Sequence, residues 1–189
     1  MVLLIAPHLI GDGISAAHGE IFRGVAMPSL LLPFAIDADA CAALRARLAD
    51  AGTEPFWIAD RGRYRHNGDF RIDELWTELR ALAVAIVGAS LEVIGGRWQI
   101  FSHGDYALVR DDAHTRPAGR HLELLLDVSA AASGEAEVMY SDGTSVLAVP
   151  QWPGMLALID RPPAVSRFER PVTVRSNGLD VVRLRLSLV

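Results

Sequence analysis

Lysine is absent from this chain: all eighteen basic residues are arginine. With the abundant alanine, that usage reads as the mark of a GC-rich genome rather than of a functional demand. Cysteine is nearly absent too. The single Cys41 excludes an intrachain disulfide and a cysteine-built metal site, and is compatible with a reducing cytoplasm, the expected location. No apolar run approaches the ~20 residues of a membrane-spanning helix, and the opening MVLLIAP lacks a signal peptide's basic n-region. An excess of positive charge is missing as well. A net charge of −5 leaves no general footprint for nucleic acid, although a local basic cleft stays compatible with it. Phosphate-loop, nucleophile-elbow and zinc signatures are also lacking.

What remains is a chain of 189 residues, half of them hydrophobic, enough for one domain with a substantial core. The expected division is an N-terminal extension over 1–27, a strand with two supporting helices over 28–96, and a β-rich core over 97–189. The extension is punctuated by Gly11, Gly13, Gly19 and Gly24 and reads as loop, with a short strand at Val2–Ile5. SLLLPFAI reads as a strand ending near Pro33. DADACAALRARLADAG reads as a helix capped by Asp37 and stopped by Gly52, with Cys41, Leu44 and Leu48 on one face. A second helix is predicted from Asp73 to about Val93 on the spacing of Leu75, Leu79, Leu82, Ile86 and Ala89, with Gly95-Gly96 ending it.

Short β segments follow at 97–102, 106–110, 121–128, 135–140, 144–149, 155–160, 165–174 and 180–188. In the last, Val182, Leu184, Leu186 and Leu188 alternate with Arg183, Arg185 and Ser187, the mark of a strand with one buried and one wet face. Ser141-Asp142-Gly143 is a hairpin turn. Helices followed by about eight strands suggest an α+β, mainly β architecture, a jelly roll with two N-terminal helices packed on one sheet.

Residues 97–128 sharpen this reading. Phe101, the Gly104-Asp105 turn and Tyr106, then Asp112 and the aliphatic run RHLELLLDVS, resemble the metal-binding region of the 2-oxoglutarate/Fe(II) oxygenases, prolyl-hydroxylase-like branch. The opening strand and helix, PGMLALID and RFERPV extend the resemblance over about 28–188. It implies a double-stranded β-helix, Fe(II) and 2-oxoglutarate as cofactors, and a hydroxylase acting on a small-molecule acid or a protein side chain. It assigns the His-x-Asp…His metal triad to positions 110, 112 and about 167, which here hold Arg110, Asp112 and Arg167. Arg175 falls where the family's 2-oxoglutarate-binding basic residue belongs.

Arginine offers donors only and cannot ligate iron, and no histidine follows His121. Two rearranged ligand sets are open. His103-Gly104-Asp105 is literally His-x-Asp, but also the turn before the metal strand. Asp112 with His114, joined by His121, is the other. A metal-free reading is open too: on an extended 106–112, Arg110 and Asp112 share a face and pair where iron would sit. Arg167 and Tyr106 would then help to line an anion-binding cleft, or these charges form a satisfied internal network that binds nothing. The basic stretch 61–71, with Tyr64, His66 and Phe70, reads as a solvated connection or a lid. The four tryptophans read as core or loop anchors, and Glu123 with Asp127 as a carboxylate pair without the geometry for acid/base work.

Three functions follow. The first is a degenerate oxygenase that acts as a binding or regulatory pseudoenzyme. The second is an active dioxygenase with a rebuilt metal site. The third is an unrelated jelly-roll module whose exposed sheet edges invite a homodimer. Nucleic acid and membrane are not expected partners.

Overall fold

The computed structural model describes residues 5, 6, 9, 12–25, 27–132, 137–172 and 179–189, with side chains in the first helix described from residue 17. Strands β1 (Ser29–Leu32), β2 (Glu54–Ile58), β3 (Gly62–Asn67), β4 (Val93–Phe101), β5 (Tyr106–Ala107), β6 (His121–Asp127), β7 (Val138–Ser141), β8 (Val146–Val149), β9 (Leu156–Arg161), β10 (Ser166–Glu169) and β11 (Val181–Leu188) form one antiparallel sheet. Its order is β1-β9-β6-β11-β4-β3-β5-β10-β7-β8, with β2 added to β3. The sheet curls into a nearly closed barrel. Four helices accompany it among the described residues: α1 (Asp12–Arg23), α2 (Ala38–Ala51), α3 (Asp73–Val87) and the short α4 (Val109–Thr115).

The helices cover the outer face of the β1-β9-β6-β11-β4 half. Phe22 of α1, Cys41, Leu44 and Leu48 of α2, and Leu75, Leu79, Leu82 and Ile86 of α3 pack with Leu124, Leu126, Leu158, Leu184 and Leu186 in one buried cluster. Each such side chain contributes about 1.5–3 kcal/mol by leaving water. The cap of α2 is the expected one: the Asp37 carboxylate accepts the Ala40 N–H at 2.7 Å. Helix α3 ends earlier than its periodicity suggests, at Gly88 in the left-handed region with φ 77°. Gly95-Gly96 lie inside β4 instead.

Two further segments depart from expectation. The glycine-rich extension contains the helix α1, because α3 gives it an apolar surface to bury; Val2–Leu4 lie outside the described residues. Gly19 marks the contact. A Cβ there would sit 2.6 Å from the Ile86 carbonyl oxygen, so only glycine allows the two helices to approach so closely. Residues 61–71 are not a solvated connection either. They supply β3, which pairs with β2, β4 and β5 and buries Tyr64 inside the barrel. Of the tryptophans, Trp76 and Trp98 are buried, whereas Trp57 and Trp152 are exposed.

β11 carries the most consequential difference. Val182, Leu184, Leu186 and Leu188 face the helices as expected, but the alternate residues are buried as well. Arg183, Arg185 and Ser187 point to the barrel interior, not to solvent. In a curled sheet the second face is also an interior.

Gly19→Ala is expected to destabilise the protein by about 1–3 kcal/mol in chemical denaturation, the usual cost of overpacking, despite alanine's better helix propensity. Gly68→Ala, whose Cβ would meet nothing within 4 Å, is the near-neutral control.

Candidate functional site

The centre of the barrel is charged. Its key acid, Asp112, comes from α4, where an extended strand was predicted. β5 stops at Ala107 because its pairing with β3 and β10 ends there, and the chain turns into a helix whose first turn carries Asp111 and Asp112, a favourable end for negative charge. Consecutive residues of a strand point to opposite faces. On the helix both aspartates are buried, at 0% and 2% exposure.

The helix therefore separates the pair Arg110–Asp112 that an extended segment would have brought together. Arg110 points outward and binds Asp60. Asp112 is held instead by Arg161 at the end of β9, whose Nη1 and Nη2 donate to its two oxygens at 3.0 and 2.6 Å. Arg161 Nη1 also donates to Glu123 of β6 at 2.6 Å, and Nη2 to the Val165 carbonyl at 3.0 Å. The Arg167 peptide N–H donates to Asp112 at 3.0 Å, and its guanidinium lies 3.7 Å from Asp112 and 3.6 Å from Glu123. Tyr140 on β7 donates to Glu123 at 2.7 Å, with the Arg161 guanidinium 5.4 Å from the centre of its ring. Further in, Arg183 binds Glu169 at 2.6 Å and lies 3.5 Å from Asp127. Beside the network, Asp111 accepts from Arg61 at 3.0 Å and from Tyr64 at 2.9 Å.

Electrostatics follow from this packing. Burial alone would raise the Glu123 carboxyl, but Arg161, Arg167 and Arg185 outweigh it and hold Glu123 well below the carboxylate range. Burial alone would lower Arg161 and Arg167. Glu123 chiefly reverses this in both, so both stay charged. Tyr64 is pushed up to about 12, first by burial and then by Asp111. Arg185 is the exception. Burial and the nearby Arg167 lower it, and it makes no ion pair among the described residues.

The other predicted site residues are placed as follows. Tyr106 lies in β5 with its hydroxyl on the Ala59 carbonyl at 3.2 Å, at the barrel's outer side. His114 is exposed, its Nδ1 2.7 Å from the Arg110 carbonyl one turn back, so the helix points it away from buried Asp112. His121 is buried, lowered chiefly by that burial, with Nδ1 3.3 Å from the Gly119 carbonyl. His103-Gly104-Asp105 is a turn: Gly104 has φ 79°, and Asp105 accepts from Ser102 N–H at 2.8 Å and from Arg63 at 2.6 Å. Arg175 lies outside the described residues. The resemblance thus assigned three positions, and the structure brings two of them, 112 and 167, into contact.

Sequence reasoning missed Arg161, Arg183 and Glu169 as members of the network, and Glu123 and Asp127 as ion-paired rather than free. The available signal was that the charges of β6 (Glu123, Asp127) and of β11 (Arg183, Arg185) each fall on one face of their strand, which a barrel turns inward.

The barrel thus combines this strand order with helices backing one half and an acidic residue on the short element before β6. It has the fold of the 2-oxoglutarate/Fe(II) oxygenases. Among solved structures, the prolyl-4-hydroxylase of Pseudomonas putida matches with a TM-score of 0.64 at 14% identity, over 90% of this chain and 97% of that one. An oxidoreductase of the 2OG-Fe(II) oxygenase family from Burkholderia pseudomallei matches at 0.66 and 15%, over 94% and 90%. The alpha-ketoglutarate-dependent carbocyclase SnoK of nogalamycin biosynthesis matches at 0.67 and 13%, over 91% and 82%. No family model and no curated protein matches the sequence.

An oxygenase fold implies iron, and the residues at the implied position do not fit it. An iron site of this kind needs two imidazoles and a carboxylate converging with positions left open. Here the carboxylate is clasped by guanidinium groups, whose donors cannot ligate, and no group of three or more His, Cys, Asp or Glu among the described residues is arranged to hold a metal.

Arg161→Met should cost about 3–5 kcal/mol in denaturant unfolding, since it leaves two buried carboxylates short of their main partner. The acid limb of stability carries a second expectation. Because Glu123 is depressed in the folded state, the unfolded chain takes up that proton first. Its contribution is complete above the ordinary value of 4.5 and is lost as pH falls below it. Glu123→Gln should flatten the stability–pH slope in that window, measured by urea unfolding across a pH series.

Proposed function

We propose that this protein acts by binding, as a 2-oxoglutarate/Fe(II) oxygenase fold whose iron chemistry has been replaced by a salt-bridge network. The observation that carries the reading is the Arg161 guanidinium seated on Asp112 and Glu123, 1% exposed, with Arg167 on its other side. Asp112 is the one residue that keeps the family's ligand type, and both of its oxygens are already engaged. A cation in that place supplies the charge that a metal would otherwise provide to the carboxylates, so their burial does not depend on metal. Opening the site to iron would require breaking a bidentate pair in the protein interior.

A cytoplasmic setting accords with the single buried thiol, and a small acid or a protein side chain remains the class of ligand for such a barrel. The test is calorimetry with Fe(II) and 2-oxoglutarate on anaerobically purified protein, with 2-oxoglutarate consumption followed in parallel. No stoichiometric iron and no turnover are expected, and Asp112→Ala should change stability alone. Stoichiometric iron with turnover that disappears in Asp112→Ala would replace this reading with that of an active dioxygenase.

A further inference from the structure

At the rim of the barrel, between the start of β4, the end of β11 and the loop leaving α4, lies a cavity of about 280 Å³. Arg97, Arg116 and Arg185 line it with Thr115, Ser187 and the bare backbone of Gly95-Gly96, and no carboxylate does. The absence matters because acids are plentiful nearby. Asp112 and Glu123 are bound to Arg161, Glu169 and Asp127 to Arg183, and Asp111 to Arg61. Each of these acids has its ion pair away from the cavity.

Arg185 is the strongest sign. It is 6% exposed, and its Nη1 is buried with no hydrogen-bond partner. An unpaired buried guanidinium is costly, and neighbouring Arg167 and Arg97 add like charge. Arg97 has only a 3.5 Å contact from Nη1 to the Tyr64 hydroxyl, and Arg116 gives one Nη1 bond to the Val165 carbonyl at 3.0 Å. Donor capacity is therefore left over on all three. Gly95 leaves its side of the lining open, since nothing lies within 4 Å of a Cβ there.

We propose that Arg97, Arg116 and Arg185 form a binding site for a small oxyanion, the carboxylate or phosphate group of a molecule of metabolite size. Guanidinium forks match the paired oxygens of either group. The volume lies at the low end for ligand pockets, which suits a small acid rather than a nucleotide cofactor. This deepens the binding reading given above and rests on it for the absence of iron.

The experiment titrates succinate and, separately, inorganic phosphate into the full chain in EDTA at fixed ionic strength, by calorimetry and thermal melting. It compares the parent protein with Arg185→Met and Arg97→Gln. Saturable binding of one or both anions is expected, weakened about tenfold or more in each variant. Succinate alone would identify a carboxylate ligand, and phosphate alone a phosphate ester. Arg185→Met should melt at the same temperature as the parent or higher in the absence of anion, because it removes an unpaired buried charge. A purely structural arginine would lower it. No saturable binding of either anion, or binding that both variants leave intact, overturns the site. A parallel arm with Fe(II) in place of EDTA separates the two proposals. Iron uptake there overturns the metal-free reading, while the EDTA arm still decides the anion site.

Discussion

The rest of the structure depends on how the barrel neutralises the carboxylates it buries. Asp112 and Glu123 lie on different elements, a helix and a strand, and both are buried from bulk solvent. Arg161 bridges them with both terminal nitrogens, and Arg167 closes the arrangement from β10. Because the four groups come from α4, β6, β9 and β10, the contact ties the two halves of the sheet across the interior. Buried ion pairs are not in general a source of net stability, since desolvation offsets much of their attraction. Their effect here is on specificity: a different packing of the same strands would leave several charges unpaired.

The same requirement shapes the arrangement at larger scale. The barrel has an apolar outer layer beneath the helices and an interior in which Leu125, Val138, Tyr140, Val149, Ala157 and Ile159 pack beside the buried charges. Toward the rim, Arg185 breaks the pattern of pairing. A fold associated with metal-centred oxidation thus has an interior organised by guanidinium groups, and part of its unused donor capacity, on Arg185, lies at the rim cavity.

Much of the fold was legible in local sequence. The Asp37 cap, the Leu44/Leu48 and Leu75/Leu79/Leu82/Ile86 faces and the apolar face of β11 each depend on neighbours a few residues away, and each is where the pattern places it. The elements that were misread depend on distant partners. Helix α1 forms against α3, β3 forms between β2 and β4, and α4 replaces a strand once β5 runs out of pairing. The site was legible in part. One reading of the residues at 110 and 167 paired Asp112 with a guanidinium, yet the arginine that supplies the bidentate clasp is Arg161.

By itself, the sequence determined that this chain builds a helix-backed β barrel and that the ligand triad of an oxygenase is incomplete, because residue type and period are local properties. Only the tertiary structure decided which arginine faces which acid, that the alternate residues of β11 are buried, and that the buried Arg185 makes no ion pair among the described residues. Charge pairing is set by distances between residues tens of positions apart, and those distances exist only once the sheet has curled.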